Sequence, residues 1–114
     1  MMRVVEQAVV ELEKNGINVE VIDLRTVRPL DYTTLLNSVK KTNRMVVVEE
    51  AWPLASISSE IAYWMQKYAF DYLDAPITRV TTRDTPLPYA PTLVEAFLPN
   101  VKRIMDAVNS VVYR

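Results

Sequence analysis

The chain has 114 residues, half of them hydrophobic, a length and apolar content that suit one domain with a single core and no need of disulfides or metal. Its 13 Lys and Arg against 14 Asp and Glu leave a formal net charge of -1, which offers no basic stripe to a phosphate backbone and argues against nucleic acid as a partner. With no Cys and no His, nucleophiles of the Ser-His-Asp or Cys-His type and an ordinary zinc site are excluded.

Met2–Lys14 sets Val5, Ala8, Val9 and Leu12 on one helical stripe, with Glu6, Glu11, Glu13 and Lys14 opposite. Asn15-Gly16 ends that helix, because glycine enters the left-handed cap conformation freely. Ile17–Leu24 alternates Ile17, Val19 and Val21 with Asn18 and Glu20 before running apolar at Ile22, which predicts a strand closing at Asp23-Leu24-Arg25. Arg25–Asp31 is a connection: Pro29 blocks regular structure and Asp31 caps the next helix, Tyr32–Lys41. There Leu35, Leu36 and Val39 face inward, and Lys40 and Lys41 sit at the carbonyl end of the dipole.

Met45–Pro53 is the organising stretch. Its three valines predict a strand covered on both faces, as in a parallel sheet flanked by helices, and it stops at Glu49, Glu50, Trp52 and Pro53. In open α/β folds function gathers at that carboxyl end. Ser56, Ser58 and Ser59 offer caps for a helix reaching about residue 69, with Ile57, Ile61, Trp64, Met65 and Tyr68 at helical spacing. Phe70–Pro76 leads to a last strand, Ile77–Thr82, and Asp84–Pro91 is too proline-rich for a helix or a central strand. Thr92–Leu98 is a helical turn, and Pro99–Val112 is a final helix with Val101, Ile104, Met105, Val108, Val111 and Val112 inside. Strands interleaved with helices predict a three-layer α/β/α domain with a mostly parallel sheet. The chain begins on a helix whose preceding strand is absent, so the expectation is a domain truncated on its amino-terminal side.

Residue chemistry alone leaves several sites open. The adjacent carboxylates of Glu49 and Glu50 suit general acid/base work or a metal. Neighbours on a strand point to opposite faces, however, so contact with loop amides or a subunit interface is the favoured reading. Asp23, Arg25 and Arg28 suit either a grip on an anionic substrate or a structural ion pair. Trp52, Tyr63, Trp64, Tyr68, Phe70 and Tyr72 suit base stacking or a cofactor cleft; the charge balance favours subunit contact. The single glycine, Gly16, excludes a dinucleotide fingerprint or a phosphate loop. No apolar run reaches the roughly 18 residues of a membrane helix, so no membrane partner is expected.

The motif order VEVIDLRTVRPLD, KKTNRMVVVEEAWP, FDYLDAPITRV and DTPLPYAPTLVEAFLPNVKRI resembles the carboxyl-terminal domain of the beta subunit of the thiamine-dependent pyruvate dehydrogenase component, within the transketolase carboxyl-terminal domain group. The similarity runs from about Arg3 to Arg114. The branched-chain 2-oxoacid dehydrogenase beta subunit shares the IDLRT and DTP elements, whereas VEEAWP and PLPYA look more like the pyruvate type. A free-standing small-molecule-binding α/β domain, with its pocket at the strand ends, is the alternative from another class.

The resemblance implies that residues 1–114 form one partial transketolase carboxyl-terminal-like domain, whose full sheet has five strands. The strand before Met2–Lys14 would lie between Val19–Leu24 and Met45–Glu49, so a gap or a rearranged neighbour is expected there. Ala51, Ser56, Ser58 and Thr82 stand where the family has glycine, which puts the inherited loop shapes in question.

By the same resemblance the domain is non-catalytic. It helps assemble a heterotetramer with the alpha subunit and a second beta subunit, and it docks the subunit-binding domain of dihydrolipoyl acyltransferase. Thiamine diphosphate and magnesium serve the parent enzyme but are held elsewhere, so no catalytic, cofactor or metal role falls on these residues. Asp74, in YLDAP, matches the acidic position that meets basic residues of the subunit-binding domain, and the carboxyl terminus takes part in that docking too, with Arg114 aligning with the family's last residue. On local chemistry alone, Asp74 also suits the start of the turn before Ala75-Pro76. Mitochondrial matrix, plastid stroma and bacterial cytoplasm all host the family.

Overall fold

Apolar residues recurring every three or four positions build helix α1 (Met2–Lys14), which buries Ala8 and Leu12 against the sheet. The computed structural model describes residues 1–112. Helix α1 ends as its sequence predicts: Gly16, at φ +82, donates to the Glu13 carbonyl and Ile17 donates to the Leu12 carbonyl, both at 3.0 Å. This paired closure satisfies two carbonyls that the helix itself leaves free. Helix α2 (Tyr32–Thr42) begins at Asp31, whose carboxylate accepts the Thr34 amide at 3.1 Å and the Thr34 hydroxyl. Those bonds, the hydroxyl first and then the amide, hold the Asp31 carboxyl below the usual range. The helix leaves through Asn43, which takes the left-handed conformation at φ 65.

Strands β1 (Val46–Val48) and β2 (Thr78–Val80) pair in parallel, Val46 against Thr78 and Val48 against Val80. Alternation along β1 divides the molecule into layers. Val46 and Val48 pack with Ala8 and Leu12 of α1 and with Ile104 and Val108 of α5 (Val101–Val112). Val47 packs on the opposite face with Leu35 and Val39 of α2 and with Ile61 and Met65 of α3 (Ile57–Ala69). This is the expected three-layer α/β arrangement. A 3₁₀ turn (Phe70–Tyr72) follows α3, and α4 (Pro91–Phe97) starts on its proline and buries Phe97.

Two strand expectations need correction. The valines of β1 are each partly exposed instead of buried. Ile17–Leu24 is extended but forms no strand, so the described sheet has two strands and not three. Both have one cause: a ladder needs a partner about 4.8 Å away, and none lies between this segment and β1. A groove of about 440 Å³ separates them, lined by Ile17, Val19 and Ile22 on one side and Val46, Val47 and Val48 on the other. The expected gap beside the opening strand is therefore present. Ile17 and Val19 still pack toward α1 and α5, and Ile22 and Leu24 toward α2 and α3.

The loop after β1 also departs from the capping expectation. Ser56 precedes α3 in an extended conformation, but its side chain makes no capping hydrogen bond and instead meets the Ser58 hydroxyl at 2.8 Å. Neither Ser56 nor Ser58 has a positive φ; Ala55 carries the left-handed turn at φ 56. At the far end of β2, the Arg103 guanidinium donates to the carbonyls of Thr81 at 2.6 Å and Leu98 at 3.1 Å. It thereby ties β2, the exit of α4 and α5 together. Burial, and then the nearby Arg83 charge, lower its pKa.

Candidate partner-docking site

The 3₁₀ turn after α3 closes with the Leu73 amide on the Phe70 carbonyl, and the chain then delivers Asp74 to the surface just before the buried Ala75. Asp74 is fixed by its backbone: its amide donates to the Asn43 carbonyl at 2.8 Å, pinning it to the corner between α2 and β1. Its side chain is 55% exposed, and among the described residues it bonds to no turn amide. The turn-starting reading therefore does not account for its carboxylate. What faces that carboxylate is Arg44, with Nη1 3.9 Å from Oδ2.

Arg44 was not singled out by sequence reasoning. Its Nε donates to the Val111 carbonyl in the last turn of α5 at 2.9 Å, a favourable place for a cation because helix carbonyls there lack partners. The Asn43-Arg44 corner thus touches both the Asp74 loop and the end of α5. No local signal marks this role, since the partners lie 30 and 67 residues away along the chain. Lys40 stands over the Tyr72 ring at 5.3 Å and adds a second cation beside the same surface. Arg114 lies outside the described residues.

The other candidates separate. Glu49 is partly buried and accepts the Ser58 hydroxyl, while Glu50 is exposed, so the two carboxylates share no site. Arg79 braces the same loop by donating to the Pro53 carbonyl at 2.6 Å and the Ser59 hydroxyl at 2.8 Å. Asp23 and Arg25 form a local clamp: Nε to Oδ2 is 3.4 Å and the Arg25 amide reaches Oδ1 at 3.3 Å, with Arg28 outside it. Both side chains face solvent, which suits a structural pair of small energetic weight. Of the aromatics, Tyr32 stacks on Trp64 with centroids 4.4 Å apart, and Tyr68 lies tilted against Trp64 at 4.6 Å. Trp52, Tyr63, Phe70 and Tyr72 are exposed.

Among the described residues no three His, Cys, Asp or Glu side chains converge as metal ligands. The one glycine closes α1 and builds no phosphate cradle. The described residues thus offer neither a carboxylate cluster for magnesium nor a glycine-built cradle for a diphosphate. No helix of the described residues is long and apolar enough to cross a membrane.

Comparison with known proteins adds the family. Residues 1–104 match the family model described as transketolase, C-terminal domain. The chain is 52% identical over 108 residues to the pyruvate dehydrogenase E1 component subunit beta of Rhizobium meliloti, covering 95% of this chain and 24% of that protein. It is 51% identical over 102 residues to the subunit of the same name from Rickettsia bellii, covering 90% and 31%. To the mitochondrial one of Dictyostelium discoideum it is 48% identical over 103 residues, covering 90% and 29%. The chain thus spans about a quarter to a third of the length of these relatives. With nearly its whole length matched and the helix-flanked parallel strands in place, the chain belongs to the transketolase C-terminal domain family.

Proposed function

We propose that residues 1–114 act as one transketolase carboxyl-terminal-like domain, a non-catalytic assembly and docking unit of a pyruvate dehydrogenase beta subunit. Its partners are the alpha subunit, a second beta subunit and the subunit-binding domain of dihydrolipoyl acyltransferase. The parent enzyme decarboxylates pyruvate on thiamine diphosphate with magnesium and acetylates lipoyl groups, the cofactor being held outside this domain. The names of the bacterial and mitochondrial relatives support the pyruvate type.

The observation that carries the docking reading is Asp74: a carboxylate held outward by its own backbone, committed to no turn, and close to the end of α5. An exposed carboxylate on a rigid loop steers a basic partner and fixes its register. The test is titration calorimetry of the chain against a subunit-binding domain. Asp74→Lys is expected to weaken binding by about tenfold or more, because it sets like charges against each other. Unchanged affinity in that variant would overturn the reading. The exposed aromatics Tyr63, Phe70 and Tyr72 support subunit contact.

A further inference from the structure

We infer that Arg44 is a positioning residue for partner docking, holding Asp74 and the end of α5 in one register; the inference rests on the docking reading above. The argument starts from the corner between α2 and β1. Asn43 turns the chain in the left-handed conformation and offers its carbonyl to the Asp74 amide at 2.8 Å. The next residue, Arg44, uses two different nitrogens of one planar group: Nε meets the Val111 carbonyl at 2.9 Å and Nη1 faces Asp74 Oδ2 at 3.9 Å. A guanidinium is planar and rigid, so anchoring Nε on the Val111 carbonyl fixes where the charge at Nη1 stands relative to Asp74. The Asp74 loop and α5 have no other hydrogen bond or ion pair between them among the described residues.

The Arg44 side chain is 35% exposed, enough to be substituted without opening the core. At 3.9 Å the pair with Asp74 is loose, which leaves the carboxylate able to accept a second cation from a partner. A basic partner that touches both Asp74 and the end of α5 needs their spacing set in advance, since ordering them on binding subtracts from affinity.

The experiment is a double-mutant cycle in the full chain, with binding of a subunit-binding domain measured by calorimetry and each variant checked by thermal melting. Arg44→Met is expected to weaken binding by about three- to tenfold with Asp74 present, and by less than about twofold in the Asp74→Asn background. That vanishing is what a role through register predicts and a general loss of structure does not. Equal losses in both backgrounds, no loss, or tighter binding would overturn the inference while leaving the docking reading intact. No effect of Asp74→Asn by itself would remove the docking reading and this inference with it. Should Arg44→Met fail to fold, Arg44→Lys is read in the same way: one ammonium cannot hold both partners, so affinity should fall short of the native chain, and full native affinity would overturn the proposal.

Discussion

The two edges of β1 receive the same three valines and meet opposite fates. On one edge Val46 and Val48 stand in register with Thr78 and Val80, and the Glu49 amide extends the ladder to the Val80 carbonyl at 3.0 Å. On the other edge the groove separates β1 from Ile17–Leu24, whose alternation is the more strand-like of the two patterns. Alternation therefore decides which face a residue turns to, as Ile17 and Val19 on one side and Ile22 and Leu24 on the other still do. It does not decide whether a ladder forms, because each ladder bond belongs to two segments.

Several measurements break or sharpen that contrast. The largest effect is expected at the packed seam: Ile104→Ala, a buried truncation of α5 against β2, should cost about 2–5 kcal/mol in chemical denaturation. Val21→Ala on the open side should cost less than about 0.5 kcal/mol, and comparable losses at the two positions would erase the distinction. In amide exchange the Glu49 amide should be protected about a hundredfold or more relative to those of Val19 and Val21, a difference of roughly 3 kcal/mol in opening free energy. Equal rates would mean that the open side is laddered after all.

Arg103→Met should destabilise by about 1–3 kcal/mol, since it strips the donor from the Thr81 carbonyl at the end of β2 and the Leu98 carbonyl at the exit of α4. A loss that leaves the melting of β2 and α5 cooperative would sharpen the view of the seam as a single unit. Gly16→Ala, at the turn that launches the unpaired segment, should cost about 1 kcal/mol through its positive φ, since space around it is open. The smallest effect concerns Asp31. Its folded pKa lies below the unfolded value, so its contribution to stability is present above the ordinary carboxyl pKa of about 4 and lost as pH falls through the folded value. Asp31→Ala should therefore lower the melting temperature at neutral pH, and the gap to the native chain should close in acid. A gap independent of pH would show that the Asp31 charge is not what caps α2.

Helices were legible wherever their signals were local. The α1 stripe, its Gly16 stop and the Asp31 cap each depend on residues within four positions, and each appears where the sequence puts it. Serine capping of α3 failed on the same scale, because Ser56 and Ser58 were drawn toward each other and toward Glu49. Asp74 was singled out through resemblance to a family motif, but its setting was not legible. The backbone pin from Asn43, and Arg44 between its carboxylate and the end of α5, join segments that are distant in sequence.

Composition by itself determined which chemistry is excluded: without His or Cys and with one glycine, neither a zinc site of the ordinary kind nor a phosphate loop could be built. Periodicity determined the helices and which face each apolar residue presents, since both follow from one segment's own geometry. Only the tertiary structure decided which extended segment became a strand and which cation stands beside Asp74. Ladder bonds and ion pairs need two distant pieces of chain at a set distance, and no single stretch of sequence encodes that distance.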